Sequence, residues 1–246
     1  MNDKKQNQEK STLPSREYQR ALVVVAHPDD PEFLFGAAVA KLVEDGAEVR
    51  YLICSDGANG NRDLDIPSEE VAAIRMHEQR VAAAALGVDE VAFLGFPDGG
   101  LFANSELRTA IAREIRRFRP DLVLTHFPHR VVDLPIDASH PDHIAVGEAT
   151  LSAIFPDASN ARALPQLRRE GLEPHRVKEI WLTGYERPNH YVDAAPFVDK
   201  KIKAILCHKS QLNGSSSAPA WVYDWMRWAG REPGYEYAES YKRIAL

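Results

Sequence analysis

Two short runs carry the residue types of metal chemistry. His27-Pro-Asp-Asp30 follows the apolar run Ala21-Leu-Val-Val-Val-Ala26, and His140-Pro-Asp-His143 lies far downstream. Imidazole and carboxylate are common ligands for a divalent ion. A histidine three residues before an aspartate can chelate one ion from a tight turn, which Pro28 restrains. Asp29 lies between these two residues and can point to the open coordination side. In the second run, positions three apart share a helix face, so both imidazoles can point one way. Each run alone also fits a plainer role: an Asp-rich turn capping a helix, or a helix cap with one surface histidine. Both follow expected strands at the same edge of one sheet, and this joint placement favours the metal.

His27, Asp30 and His143 make a His₂-carboxylate set with a position left for water, the pattern of a catalytic zinc site. Zinc in such a site brings the ionisation of a water molecule to about pH 7. Asp29 can take the proton as general base. His140 can steady an oxyanion or protonate a leaving amine. Asp142 can orient His140 and raise its pKa. The chemistry that follows is metal-assisted hydrolysis of an amide or ester. One zinc ion per chain is expected, and the donor set accepts other divalent ions as well.

The elements that must position these residues alternate. Strands are expected at 21–26, 48–55, 91–94, 121–126 and 179–185. Helices are expected at 33–44, 69–86, 104–118, 141–154 and 196–211. Ser68, Asn104 and either Ser139 or Asp137 read as helix N-caps, and Gly46 and Gly87 as stops. Residues 156–178 read as irregular. The alternation predicts βαβ units: an α/β, Rossmann-like fold with a mostly parallel sheet and helices on both faces. In such sheets ligands bind beyond the C-terminal ends of the strands. Residues 1–19 read as a disordered tail, and 20–246 as a single domain with an aromatic-rich C-terminal segment over 213–246. That segment reads as a lobe folded over the C-terminal edge of the sheet.

Bulk properties narrow the function further. The 246 residues are 44% hydrophobic and 27% charged, enough for a sizeable core and unlike a disordered chain. A net charge of −6 with no basic stripe argues against nucleic acid. Cys54 and Cys207 are too few for a disulfide framework, which points to a reducing compartment. With no secretory or membrane-spanning apolar run, a cytoplasmic protein with no membrane partner is expected.

The run AHPDD after an apolar strand, with a later HPDH, resembles the PIG-L/LmbE family of zinc-dependent N-acetylglucosamine de-N-acetylases, which includes enzymes of mycothiol and bacillithiol biosynthesis. The likeness extends through Ser55-Asp-Gly57, Arg75-Met-His-Glu78, Leu86-Gly87 and Phe96-Pro-Asp-Gly99 to His208-Lys-Ser-Gln211. It implies a Rossmann-like fold, zinc on His27, Asp30 and His143, Asp29 as base, His140 as acid or oxyanion stabiliser, and removal of acetyl from a small amino sugar. The pattern departs in two places. Several members carry a tyrosine where Ala138 stands, and many have a Gly-Gly pair where this chain has Gly36-Ala37.

Arg75, Asp98 and His208 are candidate substrate contacts, His208 through the family likeness alone. For Arg75 a solvated helix face, and for Asp98 a simple turn, are the competing readings. Arg62 could meet sugar hydroxyls or a phosphate, and His126 and His129 could line the pocket edge. His77, His175 and His190 carry no assigned role. The rival to a sugar deacetylase is a zinc amidase acting on a thiol conjugate or natural-product amide, suggested by the aromatic tail. A nucleotide-binding module is disfavoured, because strand one leads into His27-Pro-Asp-Asp30 and not into a G-x-G-x-x-G turn. A homo-oligomer is compatible with the sequence.

Overall fold

The computed structural model describes residues 17–61, 63–133, 136–212 and 215–246. In chain order the first half runs β1 (Arg20–Val25), α1 (Asp30–Glu44), β2 (Glu48–Ser55), α2 (Ser68–Ala85), β3 (Glu90–Phe96), α3 (Ser105–Phe118) and β4 (Leu122–Thr125). The second half runs α4 (Pro141–Ser152), α5 (Pro165–Arg169), β5 (Glu179–Thr183), β6 (His190–Asp193), α6 (Val198–Ile205), α7 (Ala220–Gly230) and β7 (Ala238–Ala245).

Among the described residues, seven strands form one sheet in the order β3-β2-β1-β4-β5-β7-β6. The first five of these are parallel to their neighbours, and β7 runs antiparallel between β5 and β6. This is the Rossmann-like architecture expected, with an antiparallel edge added. The strand order reverses between β1 and β4, so the loops after those two strands splay apart and leave a crevice. Register sets what faces that crevice. Val24 lies beside Thr125, so Ala26-His27 and His126 leave their strands side by side.

Alternating side chains of each buried strand feed two cores. Val23, Val25, Tyr51 and Ile53 pack with α1, α6 and α7 on one face. Leu22, Val24, Leu52 and Cys54 pack with α3 and α4 on the other. Burial on both faces explains why β1 reads as an unbroken apolar run.

Several boundaries differ from expectation. Helix α1 starts at Asp30, with Pro31 in its first turn, where a proline's missing N–H has no partner to lose. Pro67, not Ser68, precedes α2. The N-cap of α4 is His140, whose Nδ1 accepts from Asp142 N at 3.2 Å. Ser139 Oγ instead accepts from Val131 N. Asn104 caps α3 as expected, accepting from Leu107 N at 3.0 Å. Helix α6 stops at Ile205, so His208 to Gln211 form a separate turn that can face inward.

The aromatic tail is not a lobe over the sheet edge. It supplies α7 and then β7, which enters the sheet between β5 and the unanticipated strand β6. Residues 1–16 of the expected tail lie outside the described residues, while Tyr18 is buried and donates to Glu179 at 2.8 Å.

Strand β7 also anchors the helix that carries Asp30. Both oxygens of buried Glu239 accept helix amides, from Ala37 at 2.9 Å and Ala38 at 2.8 Å. Lys201 Nζ donates to Glu239 at 2.6 Å and to Phe33 O at 2.7 Å. Tyr241 Oη donates to Glu239 at 2.6 Å. A Cβ on Gly36 would sit 2.8 Å from Lys201 Cγ, so glycine is what lets the lysine stem approach. Removing one partner of a buried ion pair strands the other charge. Lys201→Met is therefore expected to lower unfolding stability by about 3–5 kcal/mol, measured by urea or thermal denaturation.

Candidate metal centre and its surroundings

Three side chains from two loops converge at the crevice between β1 and β4. His27 and Asp30 leave the end of β1, and His143 projects from the first turn of α4. His27 Nδ1 lies 3.3 Å from His143 Nε2 and 3.5 Å from Asp30 Oδ2. His143 Nε2 lies 3.1 Å from Asp30 Oδ1. A tetrahedral ion with donors at about 2.0–2.2 Å places neighbouring donors about 3.3–3.6 Å apart. The triangle is thus close to the size a zinc-like ion requires, and the donor set fits one.

The next layer of contacts orients these donors. His27 Nε2 lies 3.1 Å from Asp98 Oδ1 and 3.3 Å from Asp142 Oδ2. A proton on Nε2 satisfies both carboxylates and leaves the Nδ1 lone pair facing the triangle, the arrangement that fixes metal-binding imidazoles. Asp142 is itself held by the amides of Gly99 at 2.8 Å and Leu101 at 3.3 Å. Asp30 Oδ2 accepts from His27 N at 2.7 Å.

The electrostatics favour a cation. Burial opposes protonation of His27, but Asp142, Asp30 and Asp98 overcome it and push the imidazole up to about 12. Burial would raise Asp30, yet His143 beside it holds its carboxyl well below the usual carboxylate range. The carboxylates clustered here thus make a crevice that attracts positive charge.

His126, expected only at the pocket edge, is central to the crevice. It is fully buried, and its ring stacks on His143 at 4.0 Å and 11°. Its Nε2 accepts from Ala26 N at 3.0 Å. Burial first, and the charge on His143 second, push its pKa down to about 4, which keeps it neutral. It forms the floor beneath His143. The available signal was its position at the end of β4, directly beside the end of β1.

Asp29 has an unusual backbone, with φ 102° and ψ −32°. For a residue with a Cβ this region costs about 1–3 kcal/mol and persists only where neighbours enforce it. Burial raises its carboxyl pKa, and the Arg75 guanidinium opposes that rise. Arg75 Nη2 lies 3.3 Å from Asp29 Oδ2 and donates to Pro28 O at 2.6 Å, while Nη1 donates to Gly57 O at 2.7 Å. Nearby Gly60 has no room for a Cβ, which would lie 2.0 Å from Arg75 Nη1.

Arg75 is therefore buried and engaged with protein groups, neither a solvated helix face nor an open substrate contact. Asp98 turns to His27 and accepts from Asn59 N at 3.0 Å. His208 is 1% exposed and lies against Glu32. Asp142 orients His140 through its backbone N–H, not its carboxylate. Its charge does pull the His140 pKa upward, but burial, His27 and His143 outweigh it and the net shift is down. His129 is exposed beside Glu186. Arg62 lies outside the described residues.

A Rossmann-like sheet with two imidazoles and a carboxylate converging at its switch point has the design of a metal-dependent hydrolase. Residues 22–154 match the PIG-L family, GlcNAc-PI de-N-acetylase. The chain belongs to that family. It is 31% identical over 202 residues to the diacetylchitobiose deacetylase of Thermococcus kodakarensis, covering 80% of this chain and 72% of that one. It is 28% identical over 253 residues to the 1D-myo-inositol 2-acetamido-2-deoxy-alpha-D-glucopyranoside deacetylase of Thermomonospora curvata, covering 82% and 83%. The solved N,N'-diacetylchitobiose deacetylase of Pyrococcus horikoshii superposes with a TM-score of 0.85 at 26% identity, over 96% of this chain and 88% of that chain. Among the described residues, no helix is long and apolar enough to cross a membrane.

Asp142→Asn removes the charge facing His27 Nε2 while keeping the side chain's shape. Metal affinity is expected to fall by about 10- to 100-fold, measured by competition with a chromogenic chelator.

Proposed function

We propose that this protein is a zinc-dependent hydrolase that removes the N-acetyl group from a small N-acetylglucosamine-type compound. The observation that carries the reading is the His27–Asp30–His143 donor triangle with the carboxylate of Asp29 next to it in the chain, in a member of a de-N-acetylase family. The relatives' names share one unit, an N-acetylated glucosamine, and differ in what it is attached to. The amino sugar is thus the part of the substrate this reading assigns.

In this reading His27, Asp30 and His143 hold the ion. When bound, it supplies Lewis acidity to the amide carbonyl and to a water molecule. Asp29 accepts a proton from the attacking water as the water oxygen bonds to the acetyl carbon. The C–N bond breaks, and that proton passes to the departing amine, leaving acetate and a free amino sugar.

His140 favours one of its two expected roles. Its Nδ1 accepts from Asp142 N, so the proton of the neutral ring sits on Nε2. Its pKa is lowered, which keeps it a neutral donor. Such a donor suits the carbonyl oxygen as negative charge develops there.

Acetate release from N-acetylglucosamine and its glycosides tests the reading and separates it from a thiol-conjugate amidase. Asp29→Asn is expected to lower kcat by about 10²–10⁴-fold with metal content unchanged. Loss of metal from that variant would mean that the two carboxylates have exchanged roles.

The pH profile has a fixed sign. A base must be ionised, so activity rises as pH climbs through the pKa of Asp29. Burial raises that pKa and Arg75 holds it down. Arg75→Met is expected to move the acid limb of kcat to higher pH, and a limb that stays in place would remove Arg75 from this role.

A further inference from the structure

The segment His208-Lys-Ser-Gln211 is tied to the floor of the site at three points. His208 Nε2 lies 2.9 Å from Glu32 Oε2. Ser210 donates to Glu78 through N at 2.9 Å and Oγ at 2.6 Å. Gln211 Nε2 donates to Gly60 O at 2.7 Å. The first tie leads onward to Asp29. Glu32 and Gln79 are both fully buried, and Gln79 Nε2 lies 3.0 Å from each Glu32 oxygen. The other end of the same amide, Gln79 Oε1, accepts from Asp29 N at 2.8 Å.

Direction follows from donor and acceptor chemistry. A carboxylate oxygen accepts, so Glu32 turns the NH₂ of Gln79 towards itself. The amide oxygen must then face Asp29 N–H. A flipped amide would set two donors against each other there and two acceptors at Glu32. His208, donating from the far side, fixes the carboxylate in place.

The other pole of the same peptide is also held. Asp29 N–H and Pro28 C=O belong to one peptide unit, and Arg75 Nη2 donates to that carbonyl. Arg75 and Gln79 are four residues apart on α2, so they lie on one face of the helix. Together they grip the Pro28–Asp29 peptide by its oxygen and its nitrogen. Rotating that peptide is the motion that would release the left-handed φ of Asp29, and it would break both bonds.

We propose that Glu32 and Gln79, anchored by His208, are positioning residues that lock the Pro28–Asp29 peptide and so hold the Asp29 carboxylate in its working orientation. This rests on the reading of Asp29 as the base.

Gln79→Met keeps the volume and removes both hydrogen bonds. Its kcat is expected to fall by about 10- to 100-fold, with KM and metal stoichiometry unchanged. The decisive variant exchanges the partners, Glu32→Gln with Gln79→Glu. The new amide then donates to the new carboxylate, which accepts from Asp29 N–H, and His208 donates to the amide oxygen. Net charge and volume are preserved, Asp29 N–H and His208 each keep an acceptor, and only the hydrogen bond between positions 32 and 79 reverses, so the double variant is expected to regain most of the kcat that either single variant loses. In an Asp29→Asn background, Gln79→Met is expected to cost nothing further, since both act through one group.

The outcomes separate the two readings. If Asp29→Asn keeps full kcat, the base assignment fails and the positioning role fails with it. If Asp29→Asn is inactive while folded, metal-loaded Gln79→Met keeps full kcat, the positioning role alone is overturned. Should Gln79→Met not fold, the exchanged pair carries the test. A folded exchange variant with near wild-type kcat supports the role. One that fails to fold, or is no better than the single variants, overturns it.

Discussion

Buried negative charge at one sheet edge is the constraint from which most of this structure follows. Asp30, Glu32, Asp98 and Asp142 all have side chains with less than a tenth of their surface exposed. A carboxylate taken out of water is tolerated only if fixed donors or positive charge answer it. Each is answered from a different element. Asp142 takes two amides from the loop after β3. Glu32 takes Gln79 from α2 and His208 from the turn after α6. Asp30 takes the amide of His27 and faces three imidazoles. The loops around the crevice are therefore cross-linked through their acids, and a cation in the triangle completes the arrangement.

The same logic explains how α1 is held. Its first turn carries Asp30 and Glu32, and its second is met by Glu239, Lys201 and Tyr241. One end of the helix belongs to the site and the next turn to the C-terminal strand. Residues distant in the chain thereby fix the angle at which Asp30 enters the crevice. Gly36 belongs to this account as the gap through which Lys201 passes. The departure from a Gly-Gly pair at Ala37 is accommodated there, because the Ala37 amide is engaged by Glu239 and its side chain is fully buried in the core.

Much of this was legible beforehand because periodicity and buried runs report directly on strands and helices. The apolar run of β1, the repeat of Leu107, Ile111 and Ile115 in α3, and the cap at Asn104 all needed only local information. The two clusters His27–Asp30 and His140–His143 were legible because their residue types are uncommon together after a strand. The errors were of another kind. Strand β6 forms the half-exposed edge, and β7 beside it mixes buried polar and apolar residues, so alternation is weak in both. His126 is expected only at the pocket edge and His208 only as a substrate contact through the family likeness, since nothing near either in sequence marks what it touches.

The alternation of strands and helices, the edge at which chemistry could occur, and the residue types able to hold an ion all follow from the linear pattern of the chain. Local propensity and side-chain chemistry suffice for those. Which carboxylate faces which imidazole follows from the folded chain alone. Asp98 and Asp142 meet His27, Arg75 and Gln79 grip one peptide, and His208 reaches Glu32 across 176 positions of chain. Those pairings depend on strand order and helix placement. Donor-to-acceptor geometry at the scale of one ångström is set by packing between elements, and a linear pattern does not carry it.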